Sequence, residues 1–200
     1  MGSGGVVAVV PRTRRGRERR EAVLDAAAEL FLRHGFHGTS IDDIGAAAGI
    51  TGPGVYRHVA SKDALLMAVL DRLWEALKPA VRAAGQAPPE DALGLLLDAH
   101  IGLALDQPAA LTLLIREQRH LPADYLAKAR RNHRRYVDAW VGPLCTLAPG
   151  LDRATARATA LAVHGLVDSA RLEPGILAPD THRTLLRELA MAVIARTLAR

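Results

Sequence analysis

The chain has 200 residues, of which 50% are hydrophobic and 4% aromatic, and its formal net charge is +5. This length suffices for one or two domains with a sizeable core, and the composition favours an all-α protein. The single cysteine, Cys145, excludes an internal disulfide. No apolar run approaches the ~18 residues of a membrane span, and the N-terminus lacks the charge order of a signal peptide. We therefore expect a cytoplasmic protein without a membrane partner.

The positive charge is concentrated at the N-terminus. Residues 1–20 hold six arginines and one glutamate, and their net charge of +5 equals that of the whole chain. A concentrated basic arm fits a polyanionic partner such as double-stranded DNA, although a solvated tail is the alternative. We predict that residues 1–15 are disordered. Our hypothesis is that the arm, through Arg14, Arg15 and Arg17, reaches a minor groove as homeodomain arms do.

The next stretch predicts a helix followed by a helix-turn-helix. The first helix should span 16–34 and end at Gly35. Ser40 can then cap a second helix, and Gly49 can supply the left-handed backbone that ends it. Thr51 can cap a third helix that carries 55–58. Two short helices about a glycine turn form a helix-turn-helix, whose second helix fits the DNA major groove, although an ordinary helical hairpin shares the short pattern.

The residues flanking this motif follow the pattern of a known family. They include Gly35-Phe36, Thr39-Ser40, Ala48-Gly49-Ile50, Tyr56 with His58, and Ser61-Lys62-Asp63. With these positions in register, residues 17–70 resemble the N-terminal DNA-binding domain of the TetR family of bacterial transcriptional regulators. The resemblance implies a helix-turn-helix domain over 16–60 and a helical ligand-binding and dimerisation domain over 61–200. It also implies a repressor that binds a palindromic operator as a homodimer.

The candidate DNA contacts come from the family resemblance and from the chemistry of the residues themselves. In TetR-like proteins the positions of Tyr56 and Lys62 touch phosphates, although a packing tyrosine and a surface lysine are the alternatives. Hydroxyls or helix-terminal amides of Thr39 and Ser40 can donate to the same backbone. The first turn of the recognition helix offers few groups to bases, namely Thr51, Gly52 and Pro53. Arg57 is its one long donor, and the sequence leaves open whether it grips a guanine or a phosphate.

The rest of the chain predicts six more helices, giving about nine in an all-α fold without strands. They should cover about 61–84, 89–106, 108–120, 122–147 and 152–172, with the last beginning at a cap formed by Asp180 or Thr181. The apolar faces of the last two are too wide for one neighbour, unless they merely cap the monomer core. TetR-like proteins pair there as a four-helix bundle, and the candidate interface residues are Leu161, Gly165, Leu186, Leu189 and Val193.

The resemblance further implies a pocket for a small hydrophobic ligand among the fourth to eighth helices. Candidate lining residues are His100, Tyr136, Trp140, His164 and Asp168, each of which could instead be an ordinary core residue. An acyl-CoA is the alternative ligand, for which a basic mouth could come from Arg130, Arg131, Arg134 and Arg135, although a solvated face is the more common role of such a charge run. A DNA-binding protein without a ligand is another alternative. We expect no cofactor, no metal site and no enzymatic activity, because no catalytic or ligand-spaced motif is present.

Overall fold

The computed structural model describes residues 13–117 and 121–199, and in these ranges the chain forms helices and turns without a strand. The predicted all-α fold is confirmed. No helix in the described ranges combines the length and the apolar character needed to cross a lipid bilayer. Nine α-helices follow one another in this part of the chain: α1 (Arg14–His34), α2 (Ile41–Ala47), α3 (Gly52–Val55), α4 (Lys62–Ala84), α5 (Pro89–Asp106), α6 (Pro108–Arg116), α7 (Ala123–Leu147), α8 (Arg153–Asp168) and α9 (Pro179–Leu198).

Two compact units share these helices. The N-terminal unit extends to Arg72 and also includes residues 112–121, whereas the second unit comprises residues 73–111 and the chain from Pro122 onward. The division therefore falls within α4, while the domain boundary predicted from the sequence, after residue 60, lies just before that helix.

α1 begins earlier than predicted because a threonine caps it. Thr13 Oγ1 accepts a hydrogen bond from the amide of Gly16 at 3.1 Å. Arg14 and Arg15 consequently belong to the first helical turn. This corrects the prediction that the arm is disordered as far as residue 15, whereas its residues 1–12 lie outside the described ranges. At the other end, Gly35 has a φ of 73° and ends α1 as predicted.

The N-terminal unit has a continuous apolar core. α1 buries one stripe at helical spacing, and α2, α3 and the start of α4 bury the residues that face inward. Full burial of each large aliphatic or aromatic side chain contributes about 1.5–3 kcal/mol, so this core holds the short helices α2 and α3 in place. The core consists of Val23, Leu24, Ala27, Phe31, Ile44, Val55, Leu65, Leu66 and Val69.

The second unit packs α5, α7, α8 and α9 around a larger core. Arg183 of α9 pairs with Asp106 at 3.6 Å, and Arg187 pairs with Asp98 of α5 at 3.4 Å, both at the surface. Such exposed pairs add little stability, so the apolar core carries most of it. Its members include Leu93, Leu96, Leu97, Ile101, Val137, Trp140, Leu144, Val163 and Ile194.

Two helix boundaries in this unit differ from the prediction. α9 begins at Pro179 with Ala178 at the N-cap and no side-chain cap, so the cap predicted from Asp180 or Thr181 is wrong. A proline at the first position of a helix needs no amide partner and has the right φ, which explains the earlier start. α8 ends at Asp168 and continues as a short 3-10 helix, Ser169–Arg171.

Candidate nucleic-acid interface and a buried polar cluster

α2 begins with a complete capping box. Ser40 Oγ accepts a hydrogen bond from the Asp43 amide at 3.1 Å, and the Ser40 amide donates to Asp43 Oδ2 at 3.0 Å. The Ser40 hydroxyl also donates to Asp43 Oδ2 at 2.6 Å. These hydrogen bonds from Ser40 lower the pKa of the Asp43 carboxyl. The Ser40 hydroxyl, a predicted DNA contact, is exposed, but its hydrogen is already donated to Asp43.

The turn between α2 and α3 brings the two helix backbones into direct contact. Gly49 has a φ of 68°, the left-handed conformation predicted for this position. A Cβ added at Gly45 would stand 2.8 Å from the Gly52 amide nitrogen. A Cβ added at Gly52 would overlap the Asp42 carboxylate. Gly52, a predicted DNA contact, is therefore buried inside the motif, where it lets α3 approach α2 closely.

α3 is shorter than predicted. The helix ends at Val55, and residues 56–58 form a turn in which the His58 amide donates to Val55 O at 2.9 Å. Two glycines and a proline fill the first turn, and their low helix propensity explains why the helix does not extend. Thr51 caps α3 as predicted, because its Oγ1 accepts a hydrogen bond from the Gly54 amide at 3.2 Å.

Four predicted DNA contacts lie at the surface of this motif. Thr51 and Pro53 are exposed at the start of α3, and Tyr56 is 54% exposed just after its end. Such exposure argues against the alternative that Tyr56 is a packing residue. Arg57 is also exposed, and within the described ranges its guanidinium forms no ion pair. These side chains are therefore available to a partner.

Two other predicted contacts are engaged inside the N-terminal unit. Thr39 is only 2% exposed, and its hydroxyl donates to Leu30 O at 3.1 Å and to Gly35 O at 3.0 Å. Lys62 Nζ donates to Phe36 O at 2.9 Å and to Thr39 O at 3.0 Å. In this structure the two side chains therefore hold the loop between α1 and α2, and the Thr39 hydroxyl is buried.

The arginines of the predicted arm that the structure describes lie on α1. Arg14, Arg15 and Arg17 are all exposed in its first turns. Arg14 pairs with Glu18 at 3.4 Å, a surface contact of little energetic weight. The three side chains therefore extend from a helix rather than from a flexible chain.

An open recess of about 370 Å³ lies beside α3. Arg19 of α1 reaches this recess and donates from Nη1 to Gly49 O, the turn carbonyl, at 3.3 Å. His58 has a buried Nδ1 without a hydrogen-bond partner in the described part of the chain. Burial and the neighbouring Arg20, Arg19 and Arg57 lower the pKa of His58, so its ring is neutral near pH 7. The recess is lined by Arg19, Ile50, Thr51, Gly54, Arg57 and His58.

Sequence reasoning missed Arg19 and His58 as site residues. Arg19 is one of six arginines within residues 1–20, and nothing in the sequence distinguishes it from the other five. In the sequence, His58 is distinguished only as part of the family pattern. Only the packing of α1 against the turn brings Arg19 to the recess, so no local signal could have selected it.

In the second unit, the predicted ligand residues converge on one buried cluster. The rings of His100, Tyr136 and His164 are stacked, with centroid separations of 4.5 Å between the two histidines and 4.9 Å between Tyr136 and His164. Trp140 meets the His164 ring edge-on at 5.1 Å. Tyr136 Oη lies 3.0 Å from His100 Nδ1, at hydrogen-bond distance. Residues from three helices, far apart in sequence, thus form a single polar and aromatic group.

Burial in this cluster favours the neutral forms of His164 and Tyr136. Burial, with smaller effects from His100 and His133, lowers the pKa of His164 to about 2. Burial also raises the pKa of Tyr136 well above its usual value. His100 Nε2 and Asp168 Oδ1 lie 3.3 Å apart, and His164 Nε2 has no hydrogen-bond partner among the described residues. The cluster can therefore donate and accept hydrogen bonds, whereas no metal-binding group of three occurs in the described ranges.

The predicted dimer surface corresponds to exposed apolar faces of α8 and α9. Leu161 is 43% and Leu189 is 47% exposed, and Gly165 is exposed as well. Val193 is half-buried. Leu186, by contrast, is 4% exposed and belongs to the chain's own core, so it offers no surface to a second copy.

Comparison with known proteins identifies the N-terminal segment. Residues 23–69 match the family described as "Bacterial regulatory proteins, tetR family". The chain is similar to the HTH-type transcriptional activator FasR of Mycolicibacterium smegmatis, with 42% identity over 67 residues, which are 34% of this chain and 31% of FasR. It is also similar to the HTH-type transcriptional repressor ComR of Escherichia coli K12, with 43% identity over 61 residues, or 29% of each chain. The chain thus spans about a third of the length of the curated relatives it matches.

The fold resemblance extends over most of the chain. The crystal structure of AibR in complex with isovaleryl coenzyme A and operator DNA superposes with a TM-score of 0.67. That alignment covers 86% of this chain and 97% of AibR at 23% sequence identity, so it supports the fold alone.

Proposed function

We propose that the protein is a DNA-binding transcriptional regulator of the TetR family and not an enzyme, because residues 23–69 match the bacterial regulatory proteins of that family. It acts in the cytoplasm as a homodimer on a palindromic operator and is a repressor that a small hydrophobic ligand releases. Relatives that match at similar identity include both an activator and a repressor, so the sign of regulation is part of the proposal.

The observation that carries this proposal is the geometry of the helix-turn-helix. α2 and α3 are joined backbone to backbone at Gly45 and Gly52, which sets the angle at which α3 meets a groove. The exposed side chains that flank α3 include the hydroxyl of Thr51, the aromatic ring of Tyr56 and the guanidinium of Arg57. Such groups suit contacts to phosphates and base edges.

The exposed apolar faces of α8 and α9 support the homodimer. Leu161, Leu185 and Leu189 are each at least 40% exposed, and a stripe of this kind is typical of a surface that a partner covers. A symmetric dimer presents two helix-turn-helix motifs, which matches the symmetry of a palindrome.

The buried polar cluster supports responsiveness to a ligand. A ligand releases DNA only if it binds the DNA-free conformation better than the DNA-bound one. The neutral rings of Tyr136 and His164, stacked beside His100, suit an uncharged, mainly apolar molecule with one or two hydrogen-bonding groups. The second candidate is an acyl-CoA, favoured by the exposed arginines on α7: Arg130, Arg131, Arg134 and Arg135.

The first experiment tests operator binding. Purified full-length protein is mixed with random-sequence duplex DNA, bound duplexes are selected in near-physiological salt with excess nonspecific DNA, and affinity is measured by fluorescence anisotropy. We expect a palindrome to be enriched, and Tyr56→Ala to bind it at least ~10-fold more weakly, since it removes one phosphate contact. Leu172→Ala, at another exposed apolar residue, is the control. Failure to enrich any sequence would contradict the proposal.

The second experiment tests the ligand. A long-chain acyl-CoA, the free fatty acid and CoA are titrated separately into the protein–operator complex. Release by the acyl-CoA alone at low micromolar concentration would assign the acyl-CoA class. If the complex survives all three, DNA binding stands, the acyl-CoA alternative falls, and a library of neutral drug-like compounds is screened next.

The basic arm is tested by truncation. A chain that starts at Arg17 should bind the operator more weakly and with a shallower salt dependence, because it lacks several cations near the DNA. Unchanged affinity and slope would show that the arm makes no contact.

A further inference from the structure

The recess beside α3 is lined by two arginines, Arg19 and Arg57. Several arginines of this unit pair with carboxylates, among them Arg33 with Glu29 at 3.7 Å and Arg72 with Asp25 at 2.7 Å. Arg19 and Arg57 line the recess, and neither forms an ion pair within the described ranges. Two guanidinium groups therefore remain without a neutralising partner around one small volume.

The two arginines reach the recess from different parts of the fold. Arg19 belongs to α1, and its bond to Gly49 O engages one nitrogen and leaves the other donors of the guanidinium uncommitted. Arg57 lies two residues beyond Val55, where α3 ends. Convergence of two planar, multivalent donors suits a tetrahedral oxyanion, because each guanidinium can contact different oxygens.

The place of Arg57 along the recognition helix indicates which part of DNA it meets. Residues at the N-terminal end of a recognition helix contact base edges, whereas Arg57 follows the C-terminal end of α3. His58, the next residue, also lines the recess. A phosphate in the recess would face all three side chains.

We propose that Arg19 and Arg57 together bind a single phosphate of the DNA backbone in this recess, and that Arg57 does not read a base. This inference rests on the proposed DNA-binding function. It assigns a role to Arg19 and decides between the two roles that the sequence left open for Arg57.

The test uses operator duplexes in which one phosphate at a time is replaced by a neutral methylphosphonate. The proteins are the full-length wild type, Arg19→Gln, Arg57→Gln and the double variant. Glutamine retains a donor for Gly49 O, so Arg19→Gln removes the charge and can keep the turn contact. Arg33→Gln, an exposed arginine at the other end of α1, is the control.

We expect one phosphate in each half-site whose neutralisation weakens wild-type binding, weakens binding less in each single variant, and has little effect on the double variant. The slope of log affinity against log salt should fall by about 0.9 per half-site in the double variant, the value for one phosphate, rather than by about 1.8. Arg33→Gln should behave like the wild type, with the same sensitivity to the neutralised phosphate and the same salt slope.

Other outcomes would overturn the inference. If the salt slope of the double variant falls by about 1.8 per half-site, each arginine contacts its own phosphate. If Arg57→Gln loses affinity for the operator only, and not for nonspecific DNA, Arg57 reads a base. If wild-type protein binds no DNA at all, the proposed function fails, whereas normal binding by both single variants would reject the shared phosphate alone. Circular dichroism of each variant distinguishes a lost contact from a lost fold.

Discussion

Gly45 of α2 and Gly52 of α3 meet backbone to backbone. A Cβ at Gly45 would lie 2.8 Å from the Gly52 amide nitrogen and 3.0 Å from Ile50 O, and these backbone atoms cannot move aside as a flexible side chain can. The contact sets how closely α3 lies against α2, and therefore how the exposed residues of the motif are presented to DNA.

Gly45→Ala should destabilise the N-terminal unit. Alanine favours a helix more than glycine does, but the close contact makes the site overpacked, and we expect a loss of about 1–3 kcal/mol in the free energy of unfolding. Urea denaturation monitored by circular dichroism measures this loss. Gly142→Ala in α7 is the matched control, because its Cβ would meet no atom within 4 Å, and it should be neutral or slightly stabilising.

Lys62→Ala should weaken the N-terminal unit by releasing the loop before α2. The ammonium donates to Phe36 O and Thr39 O and lies 4.6 Å from the centre of the Phe36 ring. Because hydrogen bonds to a charged group contribute more than neutral ones, we expect a loss of about 1.5–3 kcal/mol in denaturant unfolding. Lys78→Ala, which breaks a surface pair with Glu75 on the same helix, should cost less than ~1 kcal/mol.

The same variant distinguishes the two roles considered for Lys62. If the lysine only positions the loop, operator affinity falls while the salt slope is unchanged. A slope that falls by about 0.9 per half-site would instead assign it a phosphate contact.

His164 should make the second unit sensitive to acid. Its folded-state pKa of about 2 lies below the ordinary value of 6.5, so the unfolded chain binds a proton that the folded one excludes. The stability contributed by the neutral ring is complete above pH 6.5 and is lost as the pH falls from 6.5 towards 2, at up to about 1.4 kcal/mol per pH unit. Thermal unfolding between pH 7 and pH 5 measures this loss.

The matching variant is His164→Phe, which keeps a ring in the stack but cannot take up a proton. We expect its melting temperature to change less with pH than that of the wild type. His34→Gln, at an exposed position on α1, should behave like the wild type. Parallel pH curves for His164→Phe and the wild type would contradict this account.

Leu161→Glu and Leu189→Glu should each convert a dimer into a monomer. Each substitution places two carboxylates in the symmetric apolar interface, one from each copy. Both would lose their hydration on association, so the dimer Kd should rise on the order of 100-fold or more. Analytical ultracentrifugation measures the mass. Leu172→Glu, at a leucine that is 68% exposed, should remain dimeric, and a dimer that persists in both interface variants would place the interface elsewhere.

Local signals in the sequence were sufficient for the order of the helices and for several of their ends. Gly35 and Gly49 adopt the left-handed backbone expected of them, and Ser40 and Thr51 cap the helices that follow. These features depend on residues within four positions of each other, so they can be inferred from spacing and residue type alone. The same local chemistry explains the one weak element, α3, whose glycines and proline limit it to Gly52–Val55.

Tertiary packing alone decided which of the predicted site residues are exposed to a partner. Thr39 and Lys62 fit the family pattern, yet their polar atoms bond to backbone carbonyls of their own unit, and Leu186 fits an apolar stripe but turns into the core. Conversely, the place of Arg19 beside Arg57 and the stacking of His100 on His164 join residues 38 and 64 positions apart. Such contacts depend on how whole helices pack, and the periodicity of one helix carries no information about which neighbour covers it.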